Sequence, residues 1–99
     1  VKDKVLLQAI EQALARAARE RAEREETDKI RLCLDSLTPR EREVMALVIT
    51  GMLNKQIAYE LGTVEKTIKV HRARVMDKMG ANSVAELVRM AEKVGVAKQ

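Results

Sequence analysis

The side chains best suited to chemistry in this sequence are cations set among small apolar groups: Lys66, Lys69 and Arg74, with Val70 and Ala73 between them. That mixture fits contact with duplex DNA. A Lys or Arg meets guanine O6 and N7 or a phosphate, and a methyl-sized group meets the thymine methyl in the major groove. Glu partners of the kind that lace a merely solvated helix are scarce around them. Upstream, Asn54, Lys55 and Gln56 make a second polar group, able to grip one phosphate if they open a helix, where backbone N–H groups are free. A Lys in that place opposes the helix dipole, which implies an external anion. Thr67 is the remaining phosphate candidate, with its own backbone as the competing partner.

Material for catalysis is thin. The chain has one His, His71, and one Cys, Cys33. No nucleophile, base and orienting acid can be assembled from them, and no Gly-rich phosphate loop is present. No enzymatic activity, cofactor or metal site is expected. A lone Cys also rules out an intrachain disulfide or a Cys-rich zinc site, and Cys33 reads as a small buried hydrophobe. His71 is expected to be a structural hydrogen-bonder at the margin of a buried stripe. Tyr59 is the sole aromatic residue, which excludes a base-stacking platform for single strands.

Two short helices must hold the cationic groups. Ile57, Ala58 and Leu61 recur at helical spacing before Gly62, and Ile68, Val75 and Met79 mark a second stripe. Ala58 is small enough for the two axes to approach, Gly62 can take the positive φ that ends the first helix, and Ile68 fills the angle between them. At 100° per residue, Ile68, Val75 and Met79 fall in one sector, with His71 and Arg72 at its edges. Lys66, Val70, Ala73 and Asp77 lie opposite, flanked by Lys69 and Arg74. Asn54 is expected to cap the first of these helices and Thr63 the second.

The flanks carry their own signals. Thr38, Pro39 and Glu41 give a capping box with Pro at the first helical position, so a helix starts there; Val44, Met45, Leu47 and Val48 are its inward side, and Gly51 is expected to end it. Gly80 closes the second helix of the pair. Ser83 with Glu86 repeats the capping signature for the last helix, whose apolar positions Val84, Leu87, Val88, Ala91 and Val94 exceed what one small neighbour need cover. Val84, Leu87, Val88 and Ala91 are therefore the expected dimer surface.

Taken together, LTPREREV at 37–44, GMLNKQIAYELG at 51–62 and EKTIKVHRARVMDKMGANSVAELVRMA at 65–91 resemble the LuxR/NarL/FixJ family of DNA-binding domains. The resemblance implies an all-α, four-helix domain whose third helix is the recognition helix and whose fourth is a dimer surface. It also implies sequence-specific binding of double-stranded DNA by the effector part of a two-component response regulator controlling transcription. Many members carry an aliphatic residue and then Ser in the central turn, where this chain has Thr63 and Val64.

Before that domain, Val5, Leu6, Ala9, Ile10, Ala13, Leu14 and Ala17 form a long apolar stripe, and 19–29 interleaves charges among strong helix formers. The expected organisation is 1–18 as the remnant of the last receiver helix, 19–36 as a charged helical linker and 37–99 as the DNA-binding domain. Ile30, Cys33, Leu34 and Leu37 supply an apolar edge that caps this domain or pairs with another copy. The sequence starts without Met, which suggests a piece of a longer protein. The +4 net charge is unevenly placed: residues 1–36 hold eight basic and eight acidic side chains, residues 37–99 eleven and seven. The excess sits beside the helix pair, where phosphate attraction requires it.

No apolar run reaches membrane-spanning length, and the cytoplasm is the expected compartment. The expected partners are double-stranded DNA, a second copy on that DNA, an upstream receiver domain with its sensor kinase, and RNA polymerase. Two alternatives stay open: a sigma-factor-like helix-turn-helix acting with RNA polymerase, and a helical protein-interaction adaptor.

Overall fold

From Lys2 to Asp35 the chain has neither Gly nor Pro, and Ala, Leu, Glu and Arg, all strong helix formers, dominate it. It accordingly forms one unbroken helix, α1 (Lys2–Asp35), about 51 Å long at 1.5 Å per residue. The structure, a computed structural model, describes residues 2–96. Four shorter helices follow α1 among them: α2 (Pro39–Val48), α3 (Asn54–Leu61), α4 (Glu65–Met79) and α5 (Val84–Lys93). They gather at one end of α1, giving an elongated molecule of 70 × 21 × 19 Å.

The apolar stripe of α1 is uncovered: Val5, Leu6, Leu7, Ile10 and Leu14 are all exposed. Only the last turns of α1 join the core, through buried Ile30 with Cys33 and Leu34 half-covered against it. Arg42 closes this end of the helix by donating to the Leu34 carbonyl at 2.9 Å and to Asp35 Oδ1 at 3.3 Å.

The capping box of α2 forms as its sequence implies. Thr38 Oγ1 accepts from the Glu41 N–H at 3.1 Å, and Glu41 Oε1 accepts from the Thr38 N–H at 2.9 Å. The helix stops at Val48 rather than running to Gly51. Thr50 and Gly51 donate to the Leu47 and Val48 carbonyls, and these shorter-range bonds tighten the last turn before the chain bends away.

Gly62 ends α3 in the left-handed conformation at φ +68°. The Thr63 N–H then closes on the Ala58 carbonyl at 2.9 Å and the Gly62 N–H on Tyr59 at 3.3 Å, a pairing that satisfies two orphan carbonyls and needs a residue free of Cβ strain. Gly80 ends α4 in the same way, at φ +67°. Arg40 adds a further cap to α3 from α2, donating to the Leu61 carbonyl at 2.9 Å.

α4 is the centre of the packing and touches α1, α2 and α3. Its Ile68, Val75 and Met79 are buried with Val44, Met45 and Val48 of α2, Ile57 and Ala58 of α3, and Leu87, Met90 and Ala91 of α5. The architecture is the four-helix unit expected from the sequence, carried at the end of a long N-terminal helix.

A candidate nucleic-acid interface

With Ile68, Val75 and Met79 turned inward, the helical period forces the opposite face of α4 outward. Lys66, Lys69, Val70, Ala73 and Arg74 are all exposed there, and Val70 retains 45% of its surface. Lys55 and Gln56, in the first turn of α3, are exposed as well, while Asn54 and Thr67 are half-buried.

Two helix starts differ from expectation. Asn54 is the first residue inside α3, and Leu53 occupies the N-cap without a side-chain capping bond. The reason is a competing partner: Arg72 of α4 donates to Asn54 Oδ1 at 3.0 Å, which ties the opening of α3 to the middle of α4. Gln56 takes over part of the capping, its Oε1 accepting from the Leu53 N–H at 2.8 Å, so that its amide NH₂ is left to donate. Thr63 is likewise not the cap of α4. Val64 holds that position with φ −104° and ψ 154°, because Thr63 is committed to the closure of α3.

His71 also departs from the reading as a hydrogen-bonder. It is half-buried, and its Nδ1 is enclosed without a hydrogen-bond partner among the described residues.

Charge pairing separates the interface cations from the others that follow Leu37. Among the described residues after Leu37, Arg40 pairs with Glu43, Arg42 with Asp35, Lys78 with Glu41, and Arg89 and Lys93 with Glu26, while Arg72 is bonded to Asn54. Lys55, Lys66, Lys69 and Arg74 have no carboxylate partner among the described residues. Three of these unpaired cations share the outer face of α4 with Val70 and Ala73, and the fourth, Lys55, lies in the first turn of α3. Such a surface can neutralise phosphates and offer both charged and methyl-sized contacts to base edges.

One supporting interaction escaped the sequence reading. Glu41, only 1% exposed, accepts through Oε1 from Lys78 Nζ at 2.7 Å, and Lys78 also reaches the Ser36 carbonyl at 3.3 Å. Its carboxyl is held below its ordinary value of 4.5, first by the hydrogen bond from Lys78 and then by the Thr38 backbone N–H. The capping box marked Glu41 as local, and nothing in the pattern joins it to a residue on α4.

The proposed dimer surface on α5 is reduced. Leu87 and Ala91 are 0% and 1% exposed and belong to the domain's own core, in the cluster that also holds residues of α2, α3 and α4. Val84 and Val88 remain half-buried. On its other side α5 is tied to α1, Glu26 meeting Lys93 at 2.7 Å and Arg89 at 3.5 Å. The Glu26 carboxyl is lowered chiefly by the Lys93 hydrogen bond.

Comparison with known proteins identifies the family and fold. The family model of bacterial regulatory proteins of the luxR family matches residues 35–91. Nodulation protein W of Bradyrhizobium diazoefficiens is 42% identical over 97% of this chain and 42% of its own length. The transcriptional regulatory protein FixJ of Rhizobium meliloti is 44% identical over 90% of this chain and 44% of its own. Among solved structures, the response regulator StyR superposes with a TM-score of 0.79 at 47% identity, over 92% of this chain and 46% of that one. Full-length FixJ from B. japonicum gives 0.72 at 42% identity, over 96% and 47%. The chain therefore spans less than half the length of the relatives it matches.

Proposed function

We propose that this chain, which belongs to the luxR family of bacterial regulatory proteins, is the DNA-binding output part of a two-component response regulator, with α4 as the helix that enters the major groove. The observation that carries the reading is the exposed face of α4, where Lys66, Lys69 and Arg74 lie beside Val70 and Ala73 without a carboxylate partner among the described residues, with unpaired Lys55 in the first turn of α3. In this reading Lys66, Lys69, Val70, Ala73 and Arg74 meet base edges and nearby phosphates, and Asn54, Lys55, Gln56 and Thr67 hold the backbone. Asn54 and Gln56 serve through their amide N–H groups, since their oxygens are already engaged.

Residues 1–18 are assigned to the last helix of a receiver domain, 19–36 to the linker and 37–99 to the output domain. A sensor kinase acting through the receiver and RNA polymerase at the promoter are the further partners, and the cytoplasm is the compartment. Among the described residues no helix is long and apolar enough to cross a membrane. The chain works by positioning, with no catalytic step of its own. Two copies act together on DNA, since one small helix-turn-helix makes few contacts, and Val84 and Val88 with their exposed surroundings form the contact on α5.

Selection of bound duplexes from a random pool tests this. The expected product is a family of sites with two half-sites about 10–10.5 base pairs apart, centre to centre. Enrichment of a single half-site would remove the dimer and leave the DNA contact; no enrichment would remove both.

A further inference from the structure

Val64 stands where the start of a helix calls for a different kind of side chain. It holds the N-cap of α4 and makes no side-chain capping bond. Ser, Thr, Asp or Asn there would accept a bond from an unpaired N–H of the first turn, which Val cannot do. Thr63 does not compensate, since its hydroxyl makes no capping bond to the first turn of α4 among the described residues. Packing does not account for the valine either. Val64 is 63% exposed, and it belongs neither to the core nor to the partly buried layer against it. A branched apolar side chain is thus presented to solvent at the end of α4, two residues before the exposed, unpaired Lys66.

The geometry points to Val64 as a specificity residue that makes apolar contact with the C5-methyl group of a thymine, an inference that rests on α4 being the major-groove helix. In a helix-turn-helix the N-terminal residues of the second helix meet base edges, and the thymine methyl is the apolar feature the major groove offers them. Val70 lies six residues further on, about 9 Å along the helix axis, so the two valines serve different base pairs. Covering one methyl-sized group favours thymine over its unmethylated counterpart by about fourfold. In this position the chain gives up a helix cap and gains a base preference.

The test uses the duplexes recovered by selection, remade with deoxyuridine in place of one thymine at a time, which deletes only the methyl group. At one position the substitution weakens binding of the wild-type chain about fourfold; that loss disappears in Val64→Ala and persists in Val70→Ala. Val64→Ser, which supplies a capping oxygen, melts at a higher temperature than the wild type and is equally indifferent to that methyl, so poor folding cannot produce the result. Equal thymine-to-deoxyuridine ratios for wild type and Val64→Ala at every position would overturn the inference and leave α4 as the DNA-binding helix. A wild-type chain that enriches no duplex would overturn the reading of α4 itself, and this inference with it.

Discussion

Lys69 lies on the exposed face of α4 with no carboxylate to neutralise it among the described residues, so its charge is available to a ligand at little desolvation cost from a prior partner. Lys69→Ala is expected to cost about 1–3 kcal/mol of specific affinity and to relax the preference at one base pair; titration of several duplexes checks this, and unchanged binding on all of them would remove Lys69 from the readers. Lys55 is a different case. It sits in the first turn of α3, where free backbone N–H groups and a side-chain cation suit one phosphate. Lys55→Ala should weaken binding equally on all sequences and lower the salt dependence by about one unit. A changed ranking of duplexes would move Lys55 from positioning to reading. Single residues were the most legible level for the exposed cations, because helical period alone decides which side chains face out. It was the least legible for Asn54 and Thr63: both can cap a helix, but Asn54 is engaged by a tertiary bond from Arg72 that the local sequence does not encode, and Thr63 is drawn into the closure of α3.

Between elements, the bond from Lys78 to Glu41 joins the start of α2 to the last turn of α4. Because the folded protein holds the Glu41 carboxyl below 4.5, the native state binds fewer protons than the unfolded chain in that range. The contribution to stability is therefore fully present above about pH 4.5 and is lost as the pH falls through the lowered folded value. Melting temperature measured from pH 7 downward should fall below pH 4.5, and Glu41→Gln should be less stable at pH 7 while showing a shallower decline in the acid range. A variant with an unchanged acid profile would show that other carboxylates govern it. The elements were legible wherever their signals are local, as at Thr38, Pro39 and Glu41 for α2 or Gly62 and Gly80 at the helix ends. The partner of Glu41 lies 37 residues away, and the burial of Leu87 and Ala91 depends on how α5 docks on the rest of the core. Spacing identified that stripe as apolar without saying which neighbour takes it.

At the scale of the whole molecule, the core begins at Ile30, and the exposed stripe of α1 lies well upstream of it. A chain starting at Asp28 keeps Ile30 and every cap of α2–α5, and loses Glu26 with its partly exposed ion pairs, which contribute little. It should remain folded. The intact chain should associate through 1–18, since covering each Leu or Ile is worth roughly 1.5–3 kcal/mol. Light scattering of the two at equal concentration should therefore give a larger mass for the intact chain, and equal masses would exclude the stripe as the site of association.

The continuity of α1 also sets the direction in which its two ends face. An unbroken α-helix has no swivel, so the azimuth of the apolar stripe relative to α2–α5 is fixed by the number of residues between them, and each residue added or removed rotates one end about 100° against the other. Seven inserted residues come within about 20° of the original phase, whereas two swing the stripe to nearly the opposite side. In this molecule, linker length is a setting of angle as much as of distance.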